Sequence, residues 1–458
     1  MIDTTDELQA IADRVIEQAA GNEQIEAFVS RGGETEVRVY QGAVEHFVSA
    51  QSEGIGIRVI EGGRTGFAYA GTLDPDAVRE VLAEARDNVA FGTSDEFAGL
   101  AEPDGVPTTE QVMWNDVLAE YPTDRKIDIA KTLEKLASGL DPRVRVDDAN
   151  YADGWGEAAV ASTAGIRQAG RENGCYVSVS TLADGEGGGG EGDDAETQTG
   201  FGFSVGDSPD EFDLERAARE ASERATRLLG ATKPKSKTTT VVLDPFVTAQ
   251  FLGVISSTLN GMAVAKGRSL FKDRLGETVA NELVTLVDDP TNPNAYTSTD
   301  VDGEGLAARR NVLIENGVLK QFVHNSSSAR RVGGVSTGNA TRGGFAGTPG
   351  VGCLALSLVP GARTQDEIVA SIDDGLLVQQ MQGLHSGVNP ISGDFSTGAA
   401  GLLIENGTIG APVREFTIAS TLQRMLLDIV EVGGDIEWLP TSAAGMSLVI
   451  SGITMSGS

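Results

Sequence analysis

The chain contains three histidines, His46, His324 and His385, and two cysteines, Cys175 and Cys353. Metal-assisted hydrolysis usually draws on His-Glu-x-x-His or a close relative, in which two imidazoles hold zinc and the glutamate activates bound water. No His-Glu pair occurs here. A three-histidine site would have to be assembled from distant segments. His46 alternates with Glu45 and Phe47 in a strand pattern and reads as a half-buried side chain. His324 follows Phe322-Val323 at a strand end.

Nucleophilic and phosphate-binding motifs fare no better. Gly334-Val335-Ser336-Thr337-Gly338 has the spacing of a nucleophile elbow, but the elbow needs an apolar strand before it and a helix after it. Its flanks, Ser326–Arg331 and Asn339–Gly344, are polar and read as loop. His385 and Ser386 are sequence neighbours, a poor arrangement for base and nucleophile. An autonomous hydrolase using His385 or Asp394 would need a nucleophile and an orienting carboxylate within hydrogen-bond reach. The run Gly185–Gly190 matches Gly-x-Gly-x-x-Gly through low complexity, and its acids would repel a pyrophosphate. Asp300–Glu304 resembles the start of a calcium loop, but its twelfth position is Asn311, so it reads as a turn with exposed carboxylates. Both cysteines read as small buried hydrophobes.

The composition narrows the class further. The 458 residues carry a net charge of −32, which excludes a general nucleic-acid coat, because phosphate binding needs cationic clusters. It also argues against anionic membrane surfaces. Nine lysines stand against 26 arginines. An acidic, lysine-poor surface suits a salt-loaded cell, where screening relieves self-repulsion, and we read a halophilic, haloarchaeal source. Two cysteines exclude a disulfide-rich secreted scaffold. The acidic start Met1–Glu7 lacks the basic region of a signal peptide. No apolar run approaches the ~20 residues of a membrane span. A soluble, cytoplasmic protein is expected.

The elements that must position any site predict an α+β fold in three units. Residues 1–95 read as an N-terminal β-meander with helices. Leu8, Ile11, Ala12, Val15 and Ile16 mark an amphipathic helix, with Thr4 and Glu7 as its capping box. Strands follow near 26–30, 35–40, 43–50, 54–60 and 65–70, with hairpins expected at Arg31–Glu34 and Glu61–Arg64. A helix runs from about Asp76 to Val89, and residues 92–113 read as a linker. The middle α/β unit, 114–230, has a helix near 123–138, five more strands, a solvated loop at Asp184–Glu196, and a helix from Asp213 to Leu229 stopped by Gly230. The β-rich C-terminal domain, 236–458, carries an apolar helix Phe246–Leu259 and strands near Glu282–Val287, Asn311–Ile314 and Gly352–Leu358. Thr364 and Glu367 cap a helix reaching about Asp373. A last helix holds Ile418, Leu422, Met425, Leu426 and Ile429, and a strand near Ser447–Ile453 closes the chain.

Two glycine-rich segments are unlike ordinary core: Ser336–Gly344 and Gly383–Ala399. Such segments line clefts or let a second backbone approach, although tight turns also use these residues. Their side chains Asn339, Arg342, His385, Ser386, Asn389, Ser392, Asp394 and Phe395 are candidates for lining a cleft, and a family resemblance that these segments carry implies chamber lining or partner contact for them.

These segments, with Asp302–Gly305, Ile314–Leu319, Gly401–Gly407 and Glu415–Ala419, resemble the TldD/PmbA family, the modulator-of-DNA-gyrase proteins, and in particular its PmbA/TldE branch. The resemblance covers essentially the whole chain. It implies one subunit of a two-chain zinc protease acting on unfolded peptides. In such a protease a TldD-like partner carries His-Glu-x-x-x-His on a helix and a cysteine ligand near its C-terminus. The equivalent helix here falls in Phe246–Leu259, which holds no His, Glu or Cys, and Gly433–Ser458 holds no cysteine. The resemblance thus implies fold and partnership but no cofactor in this chain, the zinc belonging to the partner. A peptide-binding homodimer without catalysis is the alternative.

Overall fold

The computed structural model describes residues 4–185 and 196–458, so the glycine run Gly187–Gly190 lies outside the described residues. Helix α1, Thr5–Ile16, buries Leu8, Ile11, Ala12 and Val15 as its periodicity requires. Its expected capping box is not formed. Instead the Thr4 hydroxyl donates to the Glu157 carboxylate and accepts from Arg31 Nη1 at 3.0 Å. A carboxylate from a neighbouring strand has captured the capping hydroxyl.

The N-terminal strands are fewer and longer than expected: β1 Gln24–Tyr40, β2 Ala43–Glu61 and β3 Arg64–Ala70. The hairpin expected at Arg31–Glu34 is absent, because β1 runs straight through it. Gly32 and Gly33 pair with Ser52 and Gln51 on one side and with Gly156 and Trp155 on the other. The glycine at 33 answers to packing, since a Cβ there would stand 2.4 Å from the Trp155 indole Nε1. The β1–β2 turn is Gln41-Gly42, with φ of 52° and 76°, the mirror-image turn that suits strand twist. The hairpin at Gly62-Gly63 forms as expected.

After α2, Pro75–Val89, come α3 (Thr123–Ser138), β4 (Val144–Ser162), β5 (Arg167–Asp184), β6 (Thr197–Gly206) and α4 (Leu214–Arg227). All six strands form one antiparallel sheet in the order β3-β2-β1-β4-β5-β6, so the first two units share a sheet through the β1–β4 pairing. Alternate residues of β1, namely Ile25, Ala27, Val29, Val37 and Val39, are fully buried on one face. α1 and α2 cover one end of that face, and α3 and α4 cover the other.

The C-terminal part contains β7 (Lys237–Leu243), α5 (Pro245–Thr258), β8 (Leu286–Asp288), β9 (Asn311–Glu315), α6 (Ser326–Arg331), β10 (Leu356–Leu358) and α7 (Gln365–Val369). Then follow β11 (Asp374–Gln382), β12 (Asp394–Glu405), β13 (Thr408–Thr421), α8 (Leu422–Leu427), β14 (Ile429–Val432) and β15 (Leu448–Ser456). Strands β13-β12-β11-β7-β15 are hydrogen-bonded in that order, and β13 returns to β15, closing a small barrel-like ring to which β14 adds. The capping box of Thr364 and Glu367 forms, but its helix ends at Val369. The expected last helix shrinks to Leu422–Leu427, because Ile418 belongs to β13 and Ile429 to β14. Helix α5 lays Val247, Phe251, Leu252 and Ile255 into the largest core, with Val241, Leu243, Leu376, Val378, Leu448 and Ile450.

The architecture is α+β, as expected. The segment read as a linker is firmly held. Arg330 donates to the carbonyls of Phe97, Gly99 and Leu100, Arg309 pairs with Asp104 at 2.6 Å, and Gln111 donates to the Thr299 carbonyl at 2.6 Å. Among the described residues no helix is long and apolar enough to cross a membrane.

Candidate functional site

The candidates from the first glycine-rich segment are buried. Asn339 is fully enclosed. Its amide donates to Asp288 Oδ2 at 2.6 Å and to the Gly352 carbonyl at 3.1 Å, and its Oδ1 accepts from Thr337 at 2.7 Å and Asn311 at 3.0 Å. The other oxygen of Asp288 accepts from the backbone N–H groups of Leu354 and Ala355, both at 2.8 Å. Burial pushes Asp288 up to about 6, against these donors. The network pins the 336–344 segment onto β8 and β9.

Arg342 keeps some backbone exposure, but its side chain is only 3% exposed. It lies over the Phe28 ring, donates to the Gly303 carbonyl at 3.0 Å, and pairs with Glu26 at 2.6 Å. Arg58 takes the other oxygen of Glu26 at 2.8 Å. Burial opposes ionisation of Glu26, but the two guanidiniums outweigh it and hold the carboxyl below its ordinary range. A β1 carboxylate is thereby locked to the C-terminal part.

The carboxylates at 302 and 304, expected to be exposed, are buried. The reason is a turn that aims backbone donors inward. Asp302 accepts from the N–H groups of Glu304 at 2.9 Å, Leu306 at 3.0 Å and Ala340 at 3.0 Å, while Glu304 accepts from Ser326 N–H at 2.9 Å. Desolvation pushes Asp302 up to about 7 against those donors, and the Glu304 carboxylate adds to the rise. Sequence reasoning missed Glu26, Asp288, Asp302 and Glu304 as a buried set. The available signal was the proximity of acids to glycines in Asp302–Gly305.

The second segment begins with a helical turn, Leu384–Gly387, continues as a loop to residue 393 and enters β12 at Asp394. His385, Ser386, Asn389, Ser392 and Asp394 are exposed, while Phe395 is buried edge-on to Phe251 of α5. Asn389 Oδ1 accepts from the N–H groups of Ile391 at 2.9 Å and Ser392 at 3.2 Å. Ser392 donates to Asp394 at 2.6 Å, and Ser386 donates to the Gly383 carbonyl at 3.2 Å. Both seryl hydroxyls thus serve loop geometry, and no hydrogen bond among the described residues ties His385 to either. His46 is exposed rather than half-buried, because its half of β2 has no cover. His324 is buried with Nδ1 3.1 Å from Ser328 Oγ, and burial lowers its pKa, favouring neutral imidazole. Ser336 Oγ donates to the His324 carbonyl at 3.2 Å, and the helix that an elbow requires does not follow it.

Helix α5 is the segment the family resemblance would make a metal helix. Its side chains do not fit zinc, which binds imidazole, thiolate and carboxylate. The helix supplies apolar groups, the hydroxyls of Thr248, Ser256, Ser257 and Thr258, and the Gln250 amide; Thr248 Oγ1 and Gln250 Oε1 are buried without a hydrogen-bond partner among the described residues. Nearby Cys353 is buried, and burial raises its thiol well above the ordinary value, away from the thiolate a metal needs. Among the described residues no three His, Cys, Asp or Glu side chains gather as a metal site.

A six-stranded antiparallel sheet joined to a ring-closed α+β unit, with a buried carboxylate network between them, defines the class of protein. Three family models match in sequence along the chain: the PmbA/TldA metallopeptidase domain 1 over residues 25–89, the central domain over 116–229 and the C-terminal domain over 236–457. The chain belongs to the PmbA/TldD family. It is 29% identical to a metalloprotease TldD homolog of Buchnera aphidicola, over 84% of this chain and 80% of that protein. It is 28% identical to metalloprotease PmbA of Escherichia coli O157:H7, over 94% and 92%. The crystal structure of TldE from Thermococcus kodakarensis superposes with a TM-score of 0.87 at 23% identity, covering 99% of this chain and all of that one.

Proposed function

We propose that this chain is the TldE/PmbA-type, non-catalytic subunit of a two-chain zinc peptidase of the cytoplasm. The observation that carries the reading is α5. In the position of a metal helix it presents Val247, Phe251, Leu252 and Ile255 to the core and offers no imidazole, carboxylate or thiolate. Without a metal ligand or a general base there, the chain has no means on that helix to activate water. The metalloprotease names of the relatives support peptide hydrolysis as the activity of the assembled pair.

In this reading a TldD-like partner supplies zinc and base, and this chain supplies wall and contact surface. The exposed loop side chains His385, Ser386, Asn389, Ser392 and Asp394 face the partner or the peptide. Buried Asn339, Arg342 and Phe395 hold the backbone behind those surfaces. An unfolded peptide would add as a strand to a sheet edge, gaining backbone hydrogen bonds with little demand on sequence. Metal analysis and a peptide-cleavage assay on the lone chain and on the co-purified pair test the proposal. Zinc and cleavage are expected with the pair alone. Stoichiometric zinc and zinc-dependent cleavage by the lone chain would overturn it.

A further inference from the structure

On the face turned away from its helices, the large sheet carries a trough of about 270 Å³ beside the C-terminal part. Two rungs of the strand ladder build it. On one, Glu34 of β1 stands opposite Gly154 of β4, and Gly154 opposite Gly174 of β5. On the next rung of the same face, Glu36, Ala152 and Tyr176 stand side by side in the same way. Val37 and Val177, at alternate positions, are buried under α3 and α4, so these rungs point to the other face. Tyr296, from the chain between β8 and β9, hangs over Gly174: a Cβ there would lie 4.0 Å from its ring. Carboxylates therefore form one wall and tyrosine rings the other, about 10 Å apart across β4.

The floor is glycine for no local reason. Neither Gly154 nor Gly174 has a left-handed φ. A Cβ at Gly154 would meet only the Gly33 carbonyl oxygen at 3.7 Å, and one at Gly174 only the Tyr296 ring, both ordinary contacts. Gly33, by contrast, is demanded by the Trp155 indole. Glycine weakens a strand interior and marks places where a ligand or another backbone approaches closely. The bare floor and the aromatic wall define where a ligand head lies, and the carboxylates define its sign. Among the described residues Glu34 and Glu36 make no ion pair. The nearby cations are engaged elsewhere: Arg38 by Glu45 and Asp148, and Lys126, on the helix side of the sheet, by Asp153.

We propose that this trough takes the guanidinium of an arginine side chain on a bound peptide. A planar guanidinium can lie flat on a backbone floor, stack on a tyrosine face and donate in pairs to a carboxylate, which a rounder ammonium does less well. The peptide as source rests on the proposed peptidase role. The preference for a cation does not, and it is read on the lone chain as binding, without zinc or cleavage, so the two readings fail separately.

Fluorescence anisotropy of the full chain at fixed salt tests it. The probes are a capped, dye-labelled Gly-Ser peptide carrying one arginine and the same peptide carrying glutamine. The arginine peptide should bind about fivefold tighter or more. Glu34→Gln with Glu36→Gln should erase most of that preference. In a chain of net charge −32 any cation is drawn to the surface, so Glu80→Gln with Glu84→Gln, on the exposed side of α2, removes the same charge as a control and should leave the preference intact. Gly154→Val should abolish the preference without lowering the melting temperature, because valine suits a strand and its side chain enters open space. Equal affinity for the two peptides overturns the proposal, as does a preference that survives Gly154→Val or falls equally in both double variants. A melting temperature lowered by several degrees in Gly154→Val would overturn the argument from the floor. Binding of spermidine in the trough, with no preference between the peptides, would overturn the peptide source and assign the trough to a free polyamine.

Discussion

Arg342 and Glu26 stand 316 positions apart in the chain, yet their side chains meet at 2.6 Å with each 3% exposed. The contact joins the first strand of the large sheet to a glycine-rich segment of the C-terminal part, and Arg58 completes it. Removing one member of such a set leaves a buried charge without its partner.

Glu26→Gln should therefore destabilise the fold by about 3–5 kcal/mol in urea unfolding, leaving two buried guanidiniums without a carboxylate. The native carboxyl titrates below its ordinary value. Its stabilising effect is present above the unfolded value of 4.5 and lost as pH falls through the folded one. Acid unfolding of the wild type should begin just below that window, and the Gln variant should lose this component. An acid limb of equal steepness in both would contradict the pairing.

Asp302 should act with the opposite sign. It is raised from 3.8 to about 7, so the folded state holds its proton more tightly than the unfolded state does. Stability should fall as pH rises from near 4 to near 7 and then level. Asp288, raised to about 6, adds to the same slope. Asp302→Asn should flatten part of this slope while lowering stability overall, because the Ala340 N–H loses an acceptor. Denaturant midpoints across that range decide the matter, and an unchanged slope in the variant would rule Asp302 out as its source.

Gly200 and Gly202 let β6 lie directly on α4. A Cβ at either would stand 2.0 Å from the carbonyl of Ala221 or Ala217. Gly202→Ala should cost about 1–3 kcal/mol by forcing helix and strand apart. Gly230→Ala is the contrast: its surroundings are open but its φ of 74° is left-handed, so its cost comes from backbone strain, about 1–2 kcal/mol. Thermal melts of the two variants, with a near-ultraviolet spectrum for packing, separate the mechanisms: Gly202→Ala should alter the spectrum and Gly230→Ala should not.

The net charge of −32 predicts salt-dependent stability. Raising monovalent salt from about 0.1 M to 1 M shortens the screening length from roughly 10 Å to 3 Å. The melting temperature should climb across that range. A flat or falling response would remove the reading of the acidic surface as an adaptation to salt.

What could be read from the residues alone was mostly local. The helix near 123–138 is found at Thr123–Ser138, and the one expected from Asp213 runs over Leu214–Arg227, with Asp213 as its cap. Amphipathic spacing and a capping side chain lie within one turn of the elements they define. The errors arose where a distant partner decides. Gly32-Gly33 has turn chemistry, but Trp155 from another strand holds it straight. Asp302 and Glu304 carry formal charges, and nothing in their spacing announces that Ala340 and Ser326 will aim N–H groups at them. Closure of the C-terminal ring depends on pairing Ile418 with Met455, a register no local pattern encodes. Of the candidate side chains, the sequence supplied names but not exposure, and Asn339 and His385 end in opposite environments.

Residues 92–113 have the make-up of a tether, yet Arg330 grips three of their carbonyls, and Arg309 and Gln111 fasten the stretch further along. Anyone choosing a place to split, splice or lengthen this polypeptide by composition would pick that stretch. It is in fact a stitched seam, and slack inserted there would unpick the join between the two halves of the molecule.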